Sequence, residues 1–227
     1  SRAMVVSNTD VAPLYSAAVL ESLNAAGYKT DIHIVESSET VKNMSELALL
    51  LEHCAEAELT RDDVVVALGG GVVGDLAGFA AATYMRGCKL VQVPTSLLAM
   101  VDSSDGGKTA VDLEHGKNLA GAFFQPRAVV ASVEALDTIA PNLFADSCGE
   151  VIKYGVLCNP GLFASLEKTP LTESCDDYER LEEVIARCVE IKRDVISNDE
   201  CERGLRQTLN LGHTIGHAVE STNEYRL

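Results

Sequence analysis

The sequence predicts an α/β fold: a parallel β-sheet flanked by helices over residues 1–140, followed by a mainly α-helical part over residues 141–227. Three observations carry this expectation. Short β-branched runs alternate with amphipathic helical stretches through the first half, the pattern of strands joined by helical crossovers. Three glycines follow the most valine-rich segment directly, as at a strand-to-helix bend. After Pro141 the β-branched runs give way to long helical periodicity with polar faces.

Strands are expected at residues 3–6, 31–35, 63–68 and 90–93, the last closed by Pro94, with helices at 11–26, 41–57 and 72–85. A boundary between two domains falls between Asp137 and Leu143, and helices follow at 147–157, 176–195 and 202–219. Residues 94–125 read as a long polar loop, and residues 159–174, with two prolines, as a second loop.

Of 227 residues 47% are hydrophobic and 23% charged, the composition of a packed domain rather than a disordered or collagen-like chain. The 18 basic against 34 acidic side chains leave a net charge of −16, which argues against nucleic acid as a partner. An anionic ligand would need a local basic pocket. The 7 cysteines include no Cys-x-x-Cys pair, so free thiols in a reducing compartment are expected. No apolar run reaches the roughly 18–20 residues that a bilayer requires, so no membrane association is expected. The start of the chain carries no signal-peptide pattern, and a cytoplasmic location follows.

Gly69-Gly70-Gly71-Val72-Val73-Gly74 satisfies G-x-G-x-x-G between a strand and a helix, where backbone N–H groups and the helix N-terminus can receive a pyrophosphate. The acidic ribose partner usual about 20 residues later is absent, and a tight bend with no ligand fits as well. Asp75 suits a ribose contact or a solvated first-turn acid. Between residues 94 and 125, Thr95, Ser96, Asp102, Ser103, Ser104, Lys108, Thr109, Lys117 and Asn118 suit phosphate and sugar oxygens. Gly106-Gly107-Lys108-Thr109 lacks the preceding glycine spacing of a P-loop, which excludes that ATPase reading.

Arg206, Asn210, His213 and His217 fall at i, i+4, i+7 and i+11, one face of the expected last helix. Two histidines one turn apart beside an arginine and an asparagine point to a site. The Glu of H-E-x-x-H is missing, which excludes a zincin protease. Glu150 and Lys153 share a helix face; in isolation they fit a surface ion pair. Glu150 with His213 gives a mixed oxygen and nitrogen set suited to zinc, one ligand short of the usual catalytic three. His33, His53 and His115 sit in unrelated sequence contexts.

Taken together, the stretch from Gly69 through Asp75 to Phe79, Tyr84-Met85-Arg86-Gly87, Pro94-Thr95-Ser96, Val101-Asp102-Ser103-Ser104, Gly106 to Thr109, Gly116-Lys117-Asn118, Glu150 to Gly155 and Leu209 to His217 closely resembles the 3-dehydroquinate synthase family. That resemblance implies a Rossmann-like NAD-binding domain, a helical metal-binding domain, a homodimer, and a divalent metal, zinc or cobalt in its place. It implies conversion of 3-deoxy-arabino-heptulosonate 7-phosphate to 3-dehydroquinate and phosphate by transient oxidation, phosphate elimination, reduction and aldol closure. By the same resemblance Asn8, Glu39, Lys42, Gly70, Gly71, Asp75, Thr95, Ser96, Asp102, Lys117 and Thr138 are the NAD contacts, with Glu39 and Lys42 in an E-x-x-K spacing that replaces the absent acid. Glu150 and His213 match metal ligands. Lys108, Asn118, Lys153, Lys192, Arg206, Asn210 and His217 match substrate positions, His217 as a proton-exchange group. Arg86 resembles an arginine that reaches the phosphate across a dimer interface.

The family is longer at both ends, with an N-terminal strand pair and, after the position of Leu227, a His-Gly-Glu motif carrying a third metal ligand and a later phosphate-binding lysine. A molecule ending at Leu227 is therefore expected to bind metal weakly and turn over little. Asp105 stands where an apolar residue is usual, Asp112 replaces a common Asn, and Ser147-Cys148-Gly149 departs from Gly-x-Ala. Asp105 puts a negative charge beside Lys108, so its side chain is expected to point away or the affinity for phosphate to suffer. Other sugar-phosphate cyclases, making an inosose or a valiolone, share the same cofactor logic, and an NAD-binding fragment without activity is the non-enzymatic alternative. A metal-dependent polyol dehydrogenase is a more distant one, and it would release NADH.

Overall fold

The computed structural model describes residues 1–173, 175–199, 202–212, 215, 216 and 219. Its first half is a five-stranded parallel sheet in the order β2-β1-β3-β4-β7, built from β1 (Arg2–Asn8), β2 (Lys29–Val35), β3 (Val64–Gly69), β4 (Lys89–Pro94) and the short β7 (Ala128–Val129). Helices α1 (Ala12–Ala25), α2 (Met44–Glu56) and α3 (Gly71–Thr83) make the crossovers. Side-chain alternation along β1 and β3 divides the core. Met4, Val6, Val65 and Ala67 pack with α2 and α3, while Ala3, Val5, Val64, Val66 and Leu68 pack against α1 through Tyr15, Val19 and Leu23. Burial on both faces explains why β3 opens on three valines and reads as one continuous apolar run.

The second half is helical: α4 (Pro141–Cys158), α5 (Pro160–Lys168) and α6 (Tyr178–Asn198) enclose a core of Val151, Tyr154, Leu162, Leu181, Val184 and Cys188. Leu97, Met100 and Val101, which follow β4, belong to this core too. This segment thereby ties the sheet to the helices, as do Val133 and Leu136, which share the same core with Tyr15 of α1.

Four expectations are corrected. Residues 94–125 are not one loop, because β5 (Lys108–Leu113) and β6 (Gly116–Phe123) form an antiparallel hairpin with a bulge between Val111 and Leu113. Its glycines and alanines hide the strand pattern; they are small because the hairpin lies against α3, where a Cβ at Gly78 would collide with the Thr109 side chain. Residues 159–174 contain α5: Pro160 occupies the first helical position, and the Asn159 side chain accepts from Leu162 N at 3.0 Å, so the proline starts the helix instead of breaking it. Helix α4 begins at Pro141, ahead of the expected 147, again with proline in its first turn.

The expected helix over 202–219 is not continuous. A 3-10 turn spans Leu205–Asn210, Leu211 is extended at ψ 123°, and Gly212 has a left-handed φ of +87°. Ahead of that turn the Asp199 carboxylate accepts from the backbone N–H groups of Arg203, Gly204 and Arg206, holding a tight loop where a helix would need carbonyl partners. Arg206 and Asn210 therefore do not share an α-helical stripe, and His213 and His217 lie outside the described residues.

Among the described residues Cys54, Cys88, Cys148, Cys158, Cys175 and Cys188 are free thiols, and no described helix is long and apolar enough to cross a membrane. Burial pushes the Cys54 and Cys188 thiols up to about 12, which makes them core groups rather than nucleophiles.

The hairpin supplies a stability test. A Cβ at Gly121 would run into the Thr109 carbonyl of the paired strand, which is backbone and cannot swing aside. Gly121→Ala is expected to cost about 2 kcal/mol, read as a lower urea midpoint with an unchanged m-value.

Candidate active site

The carboxyl ends of β1, β3 and β4 stand side by side, so Asn8, the glycine bend and Thr95 lie along one edge of the sheet. Gly70 caps α3 and Gly71 opens it, leaving first-turn N–H groups directed past the sheet. A Cβ on Gly71 would sit 3.1 Å from Ser103 Oγ, and one on Gly70 would sit 3.4 Å from Ser96 Oγ. Ser103 Oγ is buried and makes no hydrogen bond, a donor available to a bound group. The Asn8 side chain accepts from Val11 N at 2.9 Å and shapes the β1–α1 turn, while Thr138 Oγ1 lies 2.7 Å from the Tyr15 hydroxyl.

Beside the bend, Lys42 Nζ lies 2.7 Å from Asp75 Oδ2 and 3.9 Å from Glu39 Oε1, and Lys117 Nζ lies 3.3 Å from the same Glu39 oxygen. Four of the expected nucleotide contacts thus form one charged network. Burial pushes the Asp75 carboxyl up to about 6 despite the Lys42 charge beside it. Burial alone would lower the Lys42 ammonium, but Asp75 and Glu39 outweigh it and the net shift is upward. Asp112 accepts from Asn118 N at 2.7 Å, so its carboxylate holds Asn118 in a left-handed conformation at φ 59°.

A cavity of about 590 Å³ joins this network to the helices, lined among others by Asp75, Asp102, Lys108, Asn118, Lys192 and Asn210. Asp102 receives a hydrogen bond from the Tyr154 hydroxyl at 2.8 Å and an ion pair from Lys192 at 2.7 Å, and Lys192 also donates to the Asp102 carbonyl. Burial opposes ionisation of Asp102, but Lys192 and the Tyr154 hydroxyl prevail and hold its carboxyl down at about 2. With 27% of its side chain exposed, Asp102 opens onto the cavity. Asp105 lines the same cavity; its charged neighbours are Lys192 and Asp102, and burial raises its pKa.

Lys108 and Asn210 converge, 102 positions apart in sequence, on Glu202: Lys108 Nζ is 2.5 Å from Oε2, and Asn210 donates to Oε1 at 2.5 Å. Burial would raise the Glu202 carboxyl, yet these two partners keep it below its ordinary value. Arg206 is buried, donates to the Gly106 carbonyl at 2.9 Å and stacks 5.9 Å from the Phe123 ring centre. Arg86 stands on the exposed turn after α3, with φ 66°, and does not line the cavity.

The Glu150–Lys153 pair is buried rather than superficial, at 2.5 Å, and Lys153 also donates to the Leu209 carbonyl. Burial and the nearby Asp102 charge raise the Glu150 carboxyl, with Lys153 opposing. Glu150 Oε1 lies against the Lys153 ammonium at 2.5 Å, which engages one of its lone pairs and leaves the other for a cation. Among the described residues no group of three or more His, Cys, Asp or Glu gathers as a metal centre; His213, the expected partner ligand, lies outside them.

The family model for the 3-dehydroquinate synthase N-terminal region matches residues 32–146, and that for the C-terminal region matches residues 147–227. The chain belongs to the 3-dehydroquinate synthase family. It is 49% identical over 221 residues to the 3-dehydroquinate synthase of Geobacter metallireducens, covering 97% of this chain and 61% of that protein. The Synechocystis 3-dehydroquinate synthase is 46% identical, covering 98% and 62%. The chain thus spans a little over three-fifths of the length of these curated relatives. Among solved structures, a 2-deoxy-scyllo-inosose synthase complexed with carbaglucose-6-phosphate, NAD+ and Co2+ superposes with TM-score 0.89 at 30% identity, covering 97% of this chain and 61% of that one. A 2-epi-5-epi-valiolone synthase from Streptomyces hygroscopicus with NAD+ and Zn2+ bound gives 0.92 at 24% identity, covering 100% and 64%, a likeness of fold.

Within this 3-dehydroquinate synthase fold, sequence reading missed Glu202 and Tyr154. Tyr154 adjoins the Glu150–Lys153 pair, and Glu202 stands four residues before Arg206, but neither spacing says which cation or carboxylate each will meet. Lys192→Met leaves Asp102 charged with one hydrogen-bond partner, and we expect a loss of about 3 kcal/mol at pH 7 by urea denaturation. Because the folded carboxyl titrates at about 2, below its unfolded value, its stabilisation is complete above about pH 4 and falls away as the pH drops toward 2. That acid limb should flatten in the variant.

Proposed function

We propose that this chain forms the nucleotide- and sugar-binding part of a 3-dehydroquinate synthase, a phosphate-eliminating carbon–oxygen lyase of the shikimate pathway and the cytoplasm, acting as a homodimer on a heptulosonate phosphate. The observation that carries this reading is a cavity in which Asp75, from the network at the glycine bend, meets Lys108, Asn118, Lys192 and Asn210. The division of labour is taken at residues 140 and 141, with the nucleotide held before the boundary.

The glycine cradle and the unpaired Ser103 hydroxyl suit a pyrophosphate, and the Glu39, Lys42, Asp75 and Lys117 network suits ribose hydroxyls, so the residues fit NAD. The buried Glu150 carboxylate, with a lone pair left beyond its Lys153 partner, fits a divalent ion, which His213 would share, zinc or cobalt. When bound, NAD supplies a reversible hydride acceptor and the ion polarises the substrate oxygens. Lys108, Asn118 and Asn210 bind the phosphate, joined by Arg86 across the dimer. Lys192 and Arg206 bind the carboxylate. Lys153, fixed between Glu150 and the Leu209 carbonyl, holds its charge beside the oxygen that gives up its proton, and His217 exchanges that proton.

A second reading is compatible with the inosose synthase likeness: a sibling cyclase acting on a different sugar phosphate. A substrate panel separates the two. The longest native form of the protein is expected to release phosphate from the heptulosonate phosphate with catalytic NAD, with no net NADH, and to stop on chelation. Release from a hexose phosphate alone would move the assignment to the sibling. Gly71→Val would fill the cradle against Ser103, and NAD affinity by calorimetry is expected to fall at least tenfold with the fold retained; unchanged affinity would remove the glycine bend from the nucleotide site.

A further inference from the structure

We propose that His33 and His53 form a transition-metal site on the outer edge of the sheet, separate from the cavity. The sequence places these histidines in unrelated contexts; packing of α2 on the edge strand β2 brings them together. His33 Nδ1 lies 3.1 Å from His53 Nδ1, and the ring centres are 5.4 Å apart. Each ring turns its other nitrogen to a carboxylate: His33 Nε2 is 3.0 Å from Glu46 Oε1, and His53 Nε2 is 3.4 Å from Asp31 Oδ1. The four groups form a chain, Glu46–His33–His53–Asp31, with two members on β2 and two on α2.

A carboxylate oxygen only accepts, so His33 Nε2, hydrogen-bonded to Glu46, keeps its proton and leaves Nδ1 bare in the neutral ring, and the Asp31 carboxylate 3.4 Å from His53 Nε2 favours the same tautomer there. Two lone pairs facing each other at 3.1 Å repel unless a positive centre lies between them. A metal ion is one such centre and a single shared proton is the other. The surroundings are those of a metal site on both sides, because ligating histidines characteristically donate their second N–H to a carboxylate. An ion at the usual distance of about 2.05 Å from both nitrogens would subtend about 98° between them, between square-planar and tetrahedral. That geometry suits Cu2+, Ni2+ or Zn2+. No third protein ligand joins among the described residues, so solvent completes the shell, entering on the side of His53, whose side chain is 28% exposed against 12% for His33. The ion would clip together the two arms of the segment that carries Glu39 and Lys42, since β2 ends at Val35 and α2 begins at Met44.

The site does not rest on the enzymatic reading, and its test is independent of turnover. Zinc-loaded protein titrated with Cu2+ at pH 7.5 is expected to take up one tightly held ion whose electron paramagnetic resonance spectrum shows two nitrogen ligands. His33→Gln or His53→Gln should weaken that ion at least tenfold and leave one nitrogen or none, while His115→Gln changes nothing. The double variant Asp31→Asn, Glu46→Gln keeps both ligands and should weaken binding by about tenfold, with the two-nitrogen spectrum retained. Copper held equally well by the His53 variant would overturn the proposal. So would imidazole nitrogen NMR showing a shared proton only, undisturbed by added metal.

Discussion

Asp102 is held by a tyrosine from α4 and a lysine from α6 while its own segment leaves the end of β4. Nothing else in the site makes sense without that arrangement. A half-buried carboxylate is costly unless paired, and its two partners lie on helices that have no strand of their own to pack against. Leu97, Met100 and Val101 sink into the helical core from the same segment, and Ser103, one residue beyond Asp102, meets the glycine bend. The segment from Ser96 to Asp105 is therefore the piece through which sheet, helices and cavity set one another's positions.

The same logic resolves the conflict between a net charge of −16 and a site suited to anions. The cations of the cavity region are each held by a neighbouring acceptor: Lys108 by Glu202, Lys192 by Asp102, Lys153 by Glu150, and Arg206 by the Gly106 carbonyl. Paired in this way the cations are preorganised, their side-chain entropy already lost before any ligand arrives. The cavity lining itself carries Asp75, Asp102, Asp105 and Glu202 against Lys108 and Lys192, so an anion enters by replacing one of these internal carboxylates as partner.

What the sequence made legible followed local rules. Strands β1, β3 and β4 are β-branched runs, the glycine bend is literal, and α6 is long and strongly amphipathic. The hairpin is illegible because close approach of its own strands selects Gly121 and its packing on Gly78 of α3 favours small neighbours, and a run of glycines and alanines shows no alternation. The last helix was misread because its apolar spacing is sound while Asp199 and Gly212 terminate it by loop contacts that no periodicity reveals. In the site, residue types came through but partners did not: Lys108 and Asn210 were named, whereas Glu202, which holds both, depends on a tertiary approach. His33 and His53 likewise meet only because a helix lies across an edge strand.

Glu202 gives the site a threshold as well as a shape. On the proposed reading a substrate phosphate must take the place of its carboxylate between Lys108 and Asn210. A carboxylate brings one negative charge and two acceptor oxygens; a phosphate monoester brings nearly two charges and three terminal oxygens at neutral pH. Exchange is therefore favourable for a dianion and close to neutral for a monoanion, because the lysine charge and the amide donor are satisfied either way. Asn118, fixed in place by Asp112 at the rim of the same cavity, supplies the donor that the extra oxygen can use. The internal carboxylate thus keeps the cationic end of an acidic protein occupied until a ligand with more charge than itself displaces it.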